Sequence, residues 1–305
     1  MTKTTPMAFT GAPLDLAENR RDGADLMAFL QADNARAFVM HHGKFLVKNG
    51  DLVQVHPAQI KGTHLYDPGP LFLGLDGKIP RFAFSFAKEE EAYKLVKGAE
   101  LDHLRNLSFL MDGRQLALAG RAKSLFDWHR SHRYCSNCGA ESKPQSGGVT
   151  RNCPSCNTDH FPRVNPVAIM LVLNGDKCLL GRGPEWPEGA YSALAGFVSP
   201  GESLSEACIR EIKEEVDIDV ENPVYKFSQP WPYPGQLMMG MFCNVADSTK
   251  TKITLDKKEL ADAQWFTKDQ VRSVFEGTNP EKGTPFICPP DFTIAHQLIK
   301  AWLVD

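Results

Sequence analysis

The 305-residue sequence predicts an α+β chain in three parts: a mostly β N-terminal domain, a four-cysteine ribbon and a C-terminal α/β domain. Three observations predict it. Short apolar runs separated by turn residues fill positions 34–130, and two C-x-x-C pairs sit close together near the middle. From 164 onward, strand and helix patterns alternate. The expected domains are 1–130, 131–163 and 164–305. With 42% apolar and 23% charged residues, the composition disfavours disorder and low-complexity architectures.

Residues 1–33 read as a polar lead-in with room for one short helix, without the sustained apolar core of a secretory signal. Next come the runs Ala37–Met40, Phe45–Val47, Leu52–Val55, Leu71–Leu75 and Phe82–Phe86, expected as strands of a mostly antiparallel sheet. Gly-Asp or Asp-Gly pairs at 50–51, 76–77 and 112–113 are expected turns. Gln115–Arg130 spaces Leu116, Ala119, Leu125, Phe126 and Trp128 as a helix does.

Of the eight cysteines, Cys135, Cys138, Cys153 and Cys156 form two C-x-x-C pairs with 14 residues between them. Each tight turn presents two sulfurs, and the intervening hairpin brings the second pair opposite, the pattern of a tetrahedral structural zinc site. Two disulfides or a thioredoxin-like redox pair would use the same residues. Both pairs lie in one short polar segment of a chain expected to be cytoplasmic, which favours zinc. Four protein ligands leave no open position for chemistry. Cys178, Cys208, Cys243 and Cys288 are scattered and read as small buried hydrophobes.

After a Pro-bounded junction at 161–166, the run Val167–Leu173 reads as a buried strand. Its seven apolar residues fall far short of the ~20 of a membrane-spanning helix. Helices are expected at 203–216, 267–275 and 292–303. The net charge of −3 and pI near 6.3 argue against a dedicated basic nucleic-acid binder. Charge is nevertheless segregated. Residues 201–221 hold eight acidic and two basic side chains, whereas residues 121–163 hold seven Lys/Arg against three acidic residues.

The first of these helices carries the chemistry. Ser203 and Glu206 form an S-x-x-E capping box, so the helix should begin at Leu204. Glu211, Glu214 and Glu215 fall at i, i+3 and i+4 on one face, where like charges repel unless a cation binds. Mg²⁺ or Mn²⁺ is the natural counter-charge for such oxygen ligands. A solvated charged face is the bland alternative. The surrounding grammar decides between them: Gly196, five residues, Glu202, seven residues, then Arg210-Glu211-Ile212-x-Glu214-Glu215. This resembles the Nudix box, G-x5-E-x7-R-E-U-x-E-E-x-G-U, with one departure. Asp217 replaces the second Gly, and Asp tolerates the left-handed conformation that ends the helix better than most residues.

Downstream, Ser228-Gln-Pro-Trp-Pro-Tyr-Pro234 could be no more than a Pro-stiffened connection. It is similar, however, to the S-Q-P-W-P-F-P-x-S signature of the NADH pyrophosphatase family, whose members are also regarded as NAD-capped RNA decapping enzymes. Gln236 stands where the signature has Ser. That family places a decayed Nudix-like domain and a four-cysteine zinc ribbon before its Nudix domain, so the resemblance implies that layout here, with the C-terminal domain a Nudix α/β/α sandwich.

The resemblance implies metal-dependent hydrolysis of the pyrophosphate of NADH or NAD⁺ to nicotinamide mononucleotide and AMP. Cleavage of NAD-capped RNA at the same bond, and a homodimer, are implied with it. It assigns Glu211, Glu215, the carbonyl of Ala195 and Glu259 to Mg²⁺ or Mn²⁺, with Glu214 a further ligand or the base. Arg210 and Glu202 would pair to hold loop and helix together. Substrate would meet Gln229, Pro230, Trp231, Pro232, Tyr233, Pro234, Gly235 and Gln236, with Phe161 and Ala295 near the nucleotide. Two alternatives compete with it. One is an ADP-ribose or other dinucleotide pyrophosphatase; the other is a non-catalytic nucleotide-sensing module, which would be expected to lose the helix glutamates retained here.

Overall fold

Each N-terminal apolar run enters the sheet, with Leu52–Val55 broken at Val53 into two short strands. β1 (Arg36–His41), β2 (Lys44–Lys48), β3 (Asp51–Leu52), β4 (Gln54–Val55), β5 (Leu71–Asp76), β6 (Ile79–Ser85) and β7 (Glu100–His103) form one sheet. Its path is β3-β2-β1-β6-β5, with β4 on β1 and β7 on β2, and only the β1–β6 pairing is parallel. The computed structural model describes residues 7–12, 14–60, 64–277 and 286–304. They divide into two compact units: residues 8–164 with 230–235, and residue 7 with 165–229 and the described residues from 236 onward.

In the first unit, α1 (Gly23–Gln31) is the short helix expected in the lead-in, while α2 (Glu89–Tyr93) and α3 (Leu104–Leu107) are too short to show a period. The core gathers Val39, Leu46, Phe72, Phe82, Phe84 and Phe86. Asp112-Gly113 is not a hairpin turn. Asp112 caps α4 (Gly113–Ser131), its carboxylate accepting from the Arg114 and Gln115 amides at 2.8 and 3.0 Å. An Asp-Gly pair serves either purpose, and the helical period that follows it decides for the cap. The ribbon adds β8 (Lys143–Gln145), β9 (Thr150–Asn152) and β10 (Asp159–His160), an antiparallel sheet ordered β10-β9-β8.

The second unit is built on β11 (Asn165–Asn174), β12 (Lys177–Arg182), β13 (Leu194–Phe197), β14 (Val220–Trp231), β15 (Gln236–Val245) and β16 (Asp262–Thr267). The order is β14-β15-β11-β12-β16, with β13 also on β11. β11 is central and parallel to β15, so both its faces are covered and its sequence is continuously apolar. Ala168, Met170 and Val172 face α5 (Leu204–Val216); Ile169 and Leu171 join the opposite core with α6 (Lys268–Phe275) and α7 (Ile294–Val304). This is the expected α/β/α sandwich. Among the described residues no helix is long and apolar enough to cross a membrane.

Candidate functional site

α5 starts as its capping box requires. The Ser203 hydroxyl accepts from the Glu206 amide, and the Glu206 carboxylate accepts from the Ser203 amide at 2.7 Å. Ala207, Cys208, Ile212 and Val216 bury one face against β11. At the far end Asp217 takes the left-handed conformation, φ 59° and ψ 35°, donating its amide to the Lys213 carbonyl. The departure from the Gly of the box thus leaves the helix stop intact.

Two glutamates on this helix turn inward. Glu211 and Glu215 are 8% and 4% exposed. Glu211 lies over Gly196, where any Cβ would run into its carboxyl group. This is a concrete reason for glycine at the first position of the box: β13 must let a carboxylate pass over its backbone. Glu259 reaches the same place from another direction. The Thr254 and Asp256 amides donate to the Val216 and Glu215 carbonyls, both at 3.0 Å, and so satisfy carbonyls at the end of α5. The turn that follows, with the Glu259 amide on the Asp256 carbonyl at 3.1 Å, presents Glu259 to the helix. One carboxylate oxygen from each of Glu211, Glu215 and Glu259 lies within 4.8 Å of the others.

Such a cluster is unstable alone. Burial first, and then repulsion from Glu211, Glu259 and Glu214, pushes the Glu215 carboxyl up to about 8. Its Oε2 is buried with no hydrogen-bond partner among the described residues. Glu211 is also pushed up by burial, opposed by Arg210. An orphaned carboxylate oxygen inside a three-carboxylate cluster fits a hard divalent cation, which supplies the missing counter-charge. Ala195 sits on β13 opposite Ile169, next to Gly196.

Arg210 ties the loop to the helix. Its Nη2 reaches Glu202 at 2.6 Å and the Phe197 carbonyl at 3.0 Å, and its Nη1 reaches Glu211 at 2.9 Å and Glu214 at 2.8 Å. Arg210, with the Ser199 amide second, holds the Glu202 carboxyl down at about 2. Glu214 is 59% exposed at its side chain and lies outside the cluster of Glu211, Glu215 and Glu259.

In the ribbon, the four sulfurs lie within 4.8 Å of one another, with Cys135–Cys156 at 3.6 Å and Cys138–Cys153 at 3.5 Å. Tetrahedral zinc with bonds of about 2.3 Å needs sulfurs at about this separation. The two knuckles repeat one geometry. Gly139 and Asn157 stand at positive φ, and their amides donate to the Cys135 and Cys153 carbonyls at 2.9 and 2.8 Å. Hydrogen bonds from Thr158 first, then Asn137, lower the Cys156 thiol, while its neighbouring sulfurs raise Cys138.

The proline-rich segment divides between the two units. Gln229 is fully buried; its Nε2 donates to the Phe292 carbonyl at 2.9 Å and its Oε1 accepts from the Ile294 amide at 2.8 Å. It therefore fastens the start of α7, on which Ala295 is buried. Residues 230–235 belong with the N-terminal unit. Trp231 and Tyr233 pack edge-on against each other at 5.3 Å and against Phe9 at 5.8 and 6.1 Å. Pro232 is buried, its carbonyl accepting from Lys123 at 2.9 Å, and the Tyr233–Pro234 peptide is cis. Pro230 and Pro234 are exposed, Gly235 is half-buried beside the Arg163 carbonyl, and Gln236 opens β15 opposite Asn165. Phe161 is 67% exposed and borders a cavity of about 490 Å³ with Arg21, Gln145 and Asn152.

Sequence reasoning missed a buried polar network in this unit. Arg151 is fully buried and donates to Ser142, to Asp67 at 2.8 Å and to His129 Nδ1 at 2.8 Å; His129 Nε2 meets the Gly148 carbonyl at 2.6 Å. Burial pushes His129 down to about 4, so the neutral ring accepts from Arg151 and donates to Gly148. No local spacing announces these partners. One of the seven basic residues of 121–163 is therefore a ribbon strut rather than part of a charged surface.

Models of known families match the chain in three places. The NUDIX domain matches residues 163–286, the NADH pyrophosphatase-like rudimentary NUDIX domain residues 34–128, and the NADH pyrophosphatase zinc ribbon domain residues 130–161. The "NAD(P)H pyrophosphatase NUDT13, mitochondrial" of Homo sapiens is 41% identical over 76% of this chain and 67% of its own length. The "NAD-capped RNA hydrolase NUDT12" of Homo sapiens is 40% identical over 62% of this chain; the match spans only 42% of that relative. The "NAD-capped RNA hydrolase NudC" of Deinococcus radiodurans is 33% identical over 92% of both chains. With its box, its carboxylate cluster and its ribbon in this order, the chain belongs to the Nudix hydrolases, in the family that joins a rudimentary NUDIX domain and a zinc ribbon to a full NUDIX domain.

Proposed function

We propose that the chain hydrolyses the pyrophosphate bond of NADH and NAD⁺ to nicotinamide mononucleotide and AMP, and removes NAD caps from RNA by breaking the same bond. The observation that carries the reading is the cluster of Glu211, Glu215 and Glu259, the first two buried, with the orphaned oxygen of Glu215. The proline-rich segment and the names of the relatives supply the substrate class.

Glu211, Glu215 and Glu259, with the Ala195 carbonyl, would hold Mg²⁺ or Mn²⁺. When bound, these ions neutralise diphosphate oxygens and acidify a water. Gly196 lets the Glu211 carboxylate lie flat over β13, so that it addresses the cluster rather than solvent. Arg210 fixes Glu202 and the loop before α5, and keeps Glu214 at the rim, where a carboxylate can take a proton from an attacking water. Gln229 holds the start of α7 in place by both ends of its amide. The four ribbon cysteines hold structural zinc. A homodimer is part of the same proposal, and sedimentation would read it.

The test is kcat/KM for NADH, NAD⁺, ADP-ribose and a 5′-NAD RNA, with Mg²⁺ and with Mn²⁺. NADH or capped RNA should lead. ADP-ribose turnover equal to or above theirs overturns the substrate assignment in favour of a broader dinucleotide pyrophosphatase.

A further inference from the structure

A second cavity, of about 300 Å³, lies wholly within the N-terminal unit and is lined by His103, Leu104, Arg105, Asn106, Lys123 and Tyr233, with Gly43 at its edge. Its lining contains two permanent cations and no carboxylate. Arg105 has no hydrogen-bond or ion-pair partner among the described residues; its guanidinium lies over the Tyr233 ring, 5.0 Å from the centroid. Lys123 lies 5.1 Å from the same centroid and pairs with Asp127 at 2.6 Å, but Arg130 shares that carboxylate at 3.2 Å. One negative charge therefore serves two cations, and the cavity wall is left net positive.

The chemistry selects the ligand. Two cations and an aromatic ring, with the one neighbouring carboxylate shared between Lys123 and Arg130, suit a phosphate carried on a nucleotide. NADH has only two phosphates, and both belong to the bond that is cut, so it has none to offer a second anion site. A capped RNA carries one more phosphate per nucleotide. We propose that this cavity binds a phosphate of the RNA chain and so distinguishes capped RNA from the free dinucleotide; the proposal rests on the decapping activity proposed above. Tyr233 belongs to the segment joining β14 to β15, so the same proline-rich stretch that marks the family also walls this subsite.

The test uses Arg105→Gln and the charge reversal Arg105→Glu. Arg105 is exposed and its side chain makes no hydrogen bond or ion pair among the described residues, so neither change breaks one. On a capped oligoribonucleotide, KM should rise about three- to tenfold with Arg105→Gln and further with Arg105→Glu, at unchanged kcat. The salt dependence of log KM should lose a slope of about one, while kcat/KM for NADH stays put. Binding of an uncapped 5′-monophosphate RNA should weaken in parallel. If wild type cleaves both substrates and the variants leave RNA kinetics unchanged, or alter both substrates equally, the subsite is wrong. Weakened binding of inorganic phosphate with RNA binding retained overturns it as well. Wild type that cleaves NADH but not capped RNA removes the decapping reading itself, and this proposal with it.

Discussion

Glu215 is the side chain whose burial makes least sense without a partner. Its carboxyl is held near 8 by desolvation and by the glutamates beside it, against an ordinary 4.5. Because the folded form holds the proton more tightly than the unfolded form, metal-free stability should fall as pH rises from 4.5 towards 8. Melting curves of chelated protein at pH 5 and pH 8 read that loss directly. Glu215→Gln should shrink it and raise the metal-free melting temperature, while lowering turnover by about two orders of magnitude or more. Survival of activity would remove Glu215 from the metal site. Gly196→Ala should be as damaging to activity without any change of charge, because its methyl group displaces the Glu211 carboxyl. A tenfold or larger rise in the metal concentration needed for half-maximal rate is the expected signature. Glu211 and Glu215 were legible in the sequence because helical spacing fixes their common face. The inward turn of these two and the outward turn of Glu214 depend on Gly196 and Arg210, which act through packing across β13 and the preceding loop.

Among the elements, α5 was readable almost to the residue. Capping box, apolar stripe and left-handed Asp217 are local signals that agree with one another. The ribbon knuckles were equally plain. Chelating zinc should release them, lowering the melting temperature and freeing four thiols to a thiol reagent; a chelated protein with unchanged melting contradicts the ribbon assignment. The Arg151–His129 strut was invisible, since His129, Asp67 and Arg151 lie 22 and 84 residues apart along the chain. It sets a pH limit on this unit. His129 stays neutral in the fold down to about 4, whereas the unfolded chain takes up the proton near 6.5. Stability contributed by the neutral ring is therefore complete above 6.5 and is lost as pH falls towards 4. The full loss is on the order of 3 kcal/mol. His129→Gln should lower stability at neutral pH but flatten its decline between pH 6.5 and 4, as urea titrations across that range would show. Gln229 teaches the same lesson from the substrate side. Resemblance placed it among substrate contacts; in the fold its amide also bonds Phe292 and Ile294 at the start of α7, which no local spacing announces.

At the scale of the whole molecule, a net charge of −3 conceals an acidic helix and a basic middle segment, in which Arg151 is spent inside the fold. The domain order was legible because each part carries its own signature: alternation in the N-terminal strands, cysteine spacing in the ribbon, the box in the sandwich. The proline-rich segment follows the N-terminal unit at 230–235, although it lies between two strands of the sandwich. Sequence order could not show this, because the packing of Phe9 and Lys123 on that segment joins residues more than 100 positions apart. The central claim is that a carboxylate-held metal site cleaves a nicotinamide dinucleotide. The most direct measurement compares kcat/KM for NADH and ADP-ribose in wild type and Glu215→Gln under saturating Mg²⁺ or Mn²⁺. Wild type should clearly prefer NADH, and the variant should lose both activities with its fold retained. Preference for ADP-ribose, or full activity in Glu215→Gln, would contradict the claim.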